Sequence, residues 1–202
     1  MRTCSCTHAC REIFQTFMPK PSPDLTETTV SSRNVYDGEL LRVRADLARL
    51  PDGKVAVREY ITHPGAVVII PLLDNGELVM ERQHRYPLHR DFYELPAGKI
   101  DRGEDPLQCA QRELLEETGY TASKWRYVTT LYPCIGYSDE KLMYYLAEGL
   151  IFTGASLDEG EHLEVFTLTL PMALDWVKTG KITDNKTVSG LFWADKLLRG
   201  EW

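Results

Sequence analysis

Alternating apolar and charged residues mark a pair of strands in the first third of the chain. The alternation covers residues 40–47 and again residues 55–61, and Pro51-Asp52-Gly53 between these segments is a strong turn signal. We therefore predict a β-hairpin here, ahead of the main core.

A longer pattern of apolar segments predicts a sheet. Residues 66–70 are apolar at every position, which is typical of a central strand covered on both faces, and Asp74-Asn75-Gly76 turns the chain into a second strand at 77–83. We place further strands at 92–95, 125–132, 141–147 and 164–170, a loop at 96–98, and helices at 172–178 and 185–198. The expected fold class is α/β, with helices covering a mixed sheet.

One helix is specified more completely than the others. Asp105 is a natural N-cap, Pro106 suits the first helical position, and Gln108 stands at the capping-box spacing from Asp105. Gly119 is a typical C-terminal stop. The predicted helix covers residues 106–118.

The faces of this helix differ in chemistry. Leu107, Ala110 and Leu114 form an apolar stripe, whereas three glutamates project together from a neighbouring face: Glu113, Glu116 and Glu117. Like charges at this spacing repel one another, and either an arginine or a hard divalent cation with oxygen ligands would offset the repulsion. For these glutamates alone, a solvated helix face is the better interpretation.

Composition narrows the class of protein. The chain has 202 residues, is 43% hydrophobic and 26% charged, and carries a formal net charge of −7, so we expect no nucleic-acid partner. No apolar segment is long enough to span a bilayer, and we expect no membrane partner. Five cysteines without a framework spacing favour reduced thiols and a cytoplasmic protein.

The start of the chain differs from the rest. A Pro-rich leader follows Met18, and we predict that residues 1–30 are a disordered N-terminal extension. Residues 31–63 would then form the N-terminal strands, and residues 64–202 the main domain.

A long motif changes the interpretation of the glutamates. Gly98 is followed after five residues by Glu104 and after seven more by the sequence RELLEETGY at 112–120. This spacing resembles the Nudix box at every defining position, in a loop–helix–loop context. The resemblance implies the Nudix α/β/α sandwich and the hydrolysis of a diphosphate.

The resemblance also implies roles for particular residues. It implies Mg²⁺, with Mn²⁺ as a substitute, bound by the Ala97 carbonyl and by Glu113, Glu116 and Glu117. Arg112 would orient the glutamates, and the glycines of the loop 98–103 would supply unusual backbone angles. Glu104 is either an outer ligand or an exposed acid preceding a helix.

The flanks of the box bear on the substrate. RQHRYP at 82–87, ELPAG at 94–98 and YPCIGYSDE at 132–140 resemble the ADP-ribose pyrophosphatase branch of the family. By this resemblance, Arg58, Glu59, Arg85 and Glu94 contact the substrate, with Arg85 at a phosphate; a surface salt bridge is the alternative for each arginine. Tyr36 either stacks on adenine or belongs to the core.

The same branch implies a catalytic base and an assembly. The base would lie on the acidic loop 158–164, where Glu161 is the first candidate and Glu159 the second. The N-terminal strands would form a small antiparallel sheet that mediates a homodimer. The alternative substrates are GDP-mannose and other nucleotide sugars, and the alternative of another class is a non-catalytic ligand sensor, which would not require the complete acidic set.

Overall fold

The computed structural model describes residues 22–154 and 162–202, which form ten strands, three α-helices and one 3₁₀ turn at Tyr86–Leu88. The strands are β1 (Thr28–Asp37), β2 (Arg42–Arg49), β3 (Val55–Thr62), β4 (Ala66–Leu72), β5 (Glu77–Arg85), β6 (Arg90–Glu94), β7 (Ala97–Lys99), β8 (Tyr120–Leu131), β9 (Leu142–Phe152) and β10 (Leu163–Thr169). The helices are α1 (Pro106–Thr118), α2 (Leu170–Lys178) and α3 (Asn185–Leu198). Within these two described ranges, no helix combines the length and apolarity needed to cross a membrane.

The N-terminal strands form a small antiparallel sheet in the order β1-β2-β3. The predicted hairpin is confirmed as β2 and β3, and its turn is closed by a hydrogen bond from the Leu50 N–H to the Lys54 carbonyl. Residues 22–33 and 45–58 belong to one compact unit, and residues 34–44 together with the described residues from 59 onward belong to another.

Strand β1 is a correction to the predicted disordered extension, because residues 28–30 lie within it. All ten residues of β1 are exposed, so the strand has no alternation of buried and exposed positions that a hydropathy pattern would reveal. The β-branched Thr28, Thr29 and Val30 were the available signal.

The main sheet is mixed, as predicted, in the order β10-β5-β4-β9-β8, with β6 paired to β5 and β7 paired to β4. Only the β4–β9 pair is parallel among the described strands. The predicted loop at 96–98 is partly wrong, because Ala97 and Gly98 begin the short strand β7 opposite Val68 and Val67.

Alternate residues of the central strands face two separate cores. Val68 and Ile70 of β4 pack in a cluster with α2 and α3, whereas Val67 and Ile69 pack on the other side with the apolar stripe of α1. This arrangement is the predicted α/β/α sandwich.

The sheet opens between β4 and β5, which pair directly only at Leu72 and Leu78. Farther along, β5 pairs with β6 and β4 pairs with β7, so the connection from Glu94 to Ala97 runs through the opening, and α1 packs on β7. The glutamates of α1, the end of β6 and the end of β5 therefore meet here.

Candidate functional site

Helix α1 has the predicted bounds, and its ends are closed as expected. The Asp105 carboxylate accepts hydrogen bonds from the N–H groups of Leu107 and Gln108 at 2.9 and 3.3 Å. Gly119 ends the helix with a φ of 74°, and its N–H donates to the Leu115 carbonyl. These local signals fix which face of α1 carries the glutamates.

Arg112 gathers three glutamates around one guanidinium. Its Nε and Nη2 donate to Glu104 at 2.9 and 3.0 Å, and its Nη1 donates to Glu113 at 2.8 Å and to Glu116 at 3.0 Å. The fork of Arg112 lowers the pKa of Glu104 to about 2, and the carboxylates raise the pKa of Arg112. Glu104 is therefore a partner of Arg112 and not a solvated acid, and three carboxylates sharing one cation keep a net negative charge.

Gly98 is required by a close approach and not by its backbone angle, which corrects part of our expectation for the loop glycines. A Cβ at position 98 would overlap the carboxylate of Glu113, whereas the φ of Gly98 lies outside the left-handed region. Gly103, with a φ of 84°, does have the expected unusual angle. A bare backbone at Gly98 thus lets Glu113 reach β7.

A buried pair of carboxyl groups lies deeper in the opening. Glu117 is 7% exposed and accepts a hydrogen bond from the Ala97 N–H at 3.1 Å. Glu81 on β5 is 3% exposed, and its carboxyl group is hydrogen-bonded to that of Glu117, which requires a proton on one of them. Burial raises the pKa of Glu81 to about 8, whereas the hydrogen bond with Glu117 acts in the opposite direction, so the proton belongs to the pair of carboxyl groups.

Glu81 was not among the predicted site residues. The signal was present, because an acid directly follows the apolar Leu78, Val79 and Met80 of a predicted strand. Its spacing of four residues from Arg85 also places both side chains on one face of that strand.

Arg85 and Glu94, both predicted to bind the substrate, are bound to each other. Arg85 forms a two-pronged hydrogen bond to the Glu94 carboxylate at 2.8 and 2.6 Å. Lys186 also binds Glu94, and it donates to Asp184 at 2.9 Å. Although burial acts in the opposite direction, Arg85 and Lys186 lower the pKa of Glu94, which stays ionised.

The N-terminus of α3 is tied to the end of β6. Thr187 is fully buried, and its hydroxyl accepts from the Leu95 N–H at 2.9 Å and donates to Asp184 at 2.7 Å. Lys186 and Thr187 were not predicted as site residues. Together they fix the strand end that carries Glu94.

Residues from the end of β5, from β7 and from α1 line a cleft of about 510 Å³. Its lining residues are Leu40, Gln83, Arg85, Ala97, Gly98, Lys99, Asp101, Arg112, Glu113 and Glu117. Three of the four predicted metal ligands are present in this lining, whereas Glu116 lies beside Arg112 and does not line the cleft. A neighbouring cavity of about 310 Å³ shares Arg85 and is lined also by Phe92, Glu94 and Lys186, among others.

The other predicted residues lie elsewhere or outside the described ranges. Arg58 forms a two-pronged hydrogen bond to Glu27 at 2.8 and 2.7 Å, and Glu59 is exposed on β3. Tyr36 is 58% exposed on β1, so it does not belong to the core of this chain. Glu159 and Glu161, the candidate bases, lie outside the described residues.

The chemistry of the donors fits a hard divalent cation. Within the described part of the chain, no three His, Cys, Asp or Glu side chains form a ready-made metal cluster. The cleft nevertheless combines the carboxylates of Glu113 and Glu117 with the backbone of Ala97, and Glu81 Oε1 is buried with no hydrogen-bond partner among the described residues. Oxygen donors with excess negative charge are what Mg²⁺ and similar ions require.

Comparison with known proteins agrees with this geometry. The NUDIX domain model matches residues 62–188, and the model of the nucleoside diphosphate sugar hydrolase N-terminal domain matches residues 27–61. An ADP-ribose pyrophosphatase of Bacillus subtilis (strain 168) is 40% identical over 165 residues, which cover 81% of this chain and 89% of that protein. A GDP-mannose pyrophosphatase of Escherichia coli O1:K1 / APEC is 30% identical over 176 residues, which cover 81% of this chain and 90% of that protein.

Among solved structures, the crystal structure of an ADP compounds hydrolase superposes with a TM-score of 0.80 at 25% identity, covering 89% of this chain and 98% of that chain. Nudix hydrolases generally use divalent metal ions, in agreement with the donors of the cleft. The domain match, the relatives and the shared fold together show that this chain belongs to the Nudix hydrolase family and acts on nucleoside diphosphate-linked compounds.

Proposed function

We propose that the protein hydrolyses the diphosphate bond of ADP-ribose, with Mg²⁺, to AMP and ribose 5-phosphate, and that Mn²⁺ can substitute. The observation that carries this proposal is the single cleft of about 510 Å³ that holds both Arg85 and the box residues Glu113 and Glu117. An anion-binding guanidinium and a carboxylate cluster side by side suit a diphosphate that is bound through a cation.

The metal would be held by the Ala97 carbonyl, Glu113, Glu116 and Glu117. When bound, it supplies charge neutralisation for the diphosphate and a lower pKa for the attacking water. Arg112 keeps Glu113 and Glu116 oriented through its hydrogen bonds to both.

Arg85 would bind a phosphate oxygen through the N–H donors of its guanidinium that Glu94 does not use. Its side chain is 44% exposed, whereas Glu94 is buried and so fixes the position of the fork. Glu161 is our first candidate for the general base and Glu159 the second. We expect Glu161→Gln to lower turnover more than Glu159→Gln, and the reverse order would move the assignment by two residues.

The assembly that we propose is a homodimer formed through the small N-terminal sheet, in which Arg58, Glu59 and Tyr36 would reach the nucleotide. The small sheet exposes several apolar side chains, including Val30, Val35 and Leu47. Light scattering should give twice the chain mass. We place the activity in the cytoplasm, since Cys109 and Cys134 are free thiols.

Two experiments test the substrate. A panel of nucleotide sugars should give a higher kcat/KM for ADP-ribose than for GDP-mannose, the substrate named for the 30% identical relative; the opposite order would replace ADP-ribose in the proposal. Hydrolysis in oxygen-18 water, with the label traced to AMP or to ribose 5-phosphate, would identify the phosphorus attacked. Binding of ADP-ribose without any turnover would instead indicate a ligand sensor.

A further inference from the structure

Glu81 is an unusual residue for its place in the fold. It lies on a central strand of the main sheet, directly after Leu78, Val79 and Met80, each of which is fully buried. A buried carboxyl group costs free energy unless donors or a cation compensate it. An apolar residue at position 81 would avoid that cost, so the acid needs a specific reason.

The neighbours of Glu81 do not supply this compensation in full. Its cross-strand neighbour is Glu94, another acid, and the Glu94 carboxylate already binds Arg85 and Lys186. One oxygen of Glu81 is used in the hydrogen bond with Glu117. The other, Oε1, is buried without a hydrogen-bond partner in the described part of the chain.

Position along the strand aims Glu81 at the cleft. Side chains alternate along β5, so Glu81, Gln83 and Arg85 share one face, and Gln83 and Arg85 line the cleft. Glu81 therefore approaches Glu117 from the face of the sheet that α1 covers. Two adjacent carboxyl groups can share either a proton or a cation, and an orphaned acceptor beside them is what a cation, or its coordinated water, would satisfy.

We propose that Glu81 is a further carboxylate of the divalent-cation site, and that it binds the cation, directly or through a coordinated water, together with Glu117. This inference rests on the proposed metal-dependent function and adds a ligand from β5 that lies outside the Nudix box. The alternative is that Glu81 only positions Glu117 through their mutual hydrogen bond.

Direct measurement of Mn²⁺ binding without substrate separates these roles. We would titrate the full-length protein with Mn²⁺ and follow free Mn²⁺ by electron paramagnetic resonance, for the wild type, Glu81→Gln and Glu81→Met. Glutamine keeps a hydrogen-bond donor for Glu117 but loses the charge, whereas methionine keeps only the approximate shape. A ligand role predicts that both variants lose Mn²⁺ affinity by about 10- to 100-fold.

The matched control is Glu77→Gln on the same strand, because the Glu77 carboxylate binds Asn75 and Thr167 away from the cleft. Its Mn²⁺ affinity should stay within twofold of the wild type. Thermal unfolding of each metal-free variant should show that all three are folded, and added Mn²⁺ should raise the Tm of the wild type more than that of Glu81→Gln.

The outcomes are distinct. A Glu81→Gln variant with wild-type Mn²⁺ affinity, while Glu81→Met binds weakly, would overturn the ligand role and leave a positioning residue. Wild-type Mn²⁺ affinity in both Glu81 variants would overturn the ligand role and the positioning role alike. If the wild type hydrolyses ADP-ribose and binds Mn²⁺ while Glu81→Gln is unaffected, only the inference about Glu81 fails. A wild type that binds no Mn²⁺ overturns the proposed metal dependence as well.

Discussion

Replacing Gly98 with alanine tests how closely strand β7 and helix α1 must approach each other. The added Cβ would overlap the carboxylate of Glu113, and nothing in the backbone angle of Gly98 prevents an alanine there. The substitution therefore acts on one side chain. Glu113 must leave its position, and its 2.8 Å hydrogen bond to Arg112 breaks.

The size of the effect follows from that bond. A charge-assisted hydrogen bond contributes about 1.5–3 kcal/mol, and we take the lower part of this range because Arg112 is partly exposed. For a chain of this length, a loss of that size lowers the Tm by roughly 3–6 °C. The displaced carboxylate should weaken Mn²⁺ binding by about 10- to 100-fold, as loss of ligand orientation does at other metal sites.

The assay is calorimetric unfolding combined with Mn²⁺ titration and ADP-ribose turnover. Gly136→Ala is the matched control, because a Cβ at position 136 meets nothing within 4 Å and its φ is not in the left-handed region. Gly98→Ala should lose metal affinity and turnover while remaining folded, and Gly136→Ala should change neither. A Gly98→Ala protein with wild-type Mn²⁺ affinity would refute the steric argument.

Three further predictions concern the charged networks. Arg112→Lys should lower turnover by about 10- to 100-fold, because one ammonium cannot hold three carboxylates as the fork does; turnover within twofold of the wild type would contradict this role. Lys186→Met should lower the free energy of unfolding in urea by about 1–3 kcal/mol, because the buried Glu94 carboxylate loses a donor. The control Lys196→Met removes an exposed ion pair and should lower the free energy of unfolding by under about 1 kcal/mol. Equal losses would refute that reasoning. The pKa of Glu104 is lowered from 4.5 to about 2, so its contribution to stability is complete above pH 4.5 and is lost as the pH falls toward 2. The difference in the free energy of unfolding between the wild type and Glu104→Gln should therefore shrink between pH 4.5 and pH 2. A difference that stays constant over this interval would contradict the stabilising role of the Glu104 carboxylate.

The features that could be predicted from the sequence are those set by neighbouring residues. Helix α1 has its predicted bounds because Asp105 and Gly119 close its ends through contacts within a few residues. The hairpin of β2 and β3 was likewise indicated by its own turn. The spacing of the box then placed Glu113 and Glu117 on the helix face that lines the cleft.

The features that escaped prediction depend on contacts between distant parts of the chain. Lys186 binds Glu94 across 92 residues, and only the packing of α3 against the end of β6 brings the two together. Glu81 meets Glu117 because the sheet opens between β4 and β5. No pattern within a single segment predicts that β4 and β5 diverge at that point, so the contact between Glu81 and Glu117 could not be predicted from local spacing.

Two arginines that were both predicted to contact the substrate differ in the exposure of the glutamates that bind them. Arg58 and Arg85 each bind a glutamate through two hydrogen bonds, and their side chains are 46% and 44% exposed. Glu27, the partner of Arg58, is 36% exposed, so water or another ion can replace the Arg58 guanidinium beside it at little cost in free energy. Glu94 is 3% exposed, and loss of Arg85 would leave a buried carboxylate less compensated. Arg85 is therefore held in place before any anion arrives, whereas Arg58 would have to leave Glu27 first. For Arg85 the salt bridge and the proposed substrate contact are therefore compatible, because the buried salt bridge holds the guanidinium in the position from which its remaining N–H donors would bind a phosphate under the proposed function.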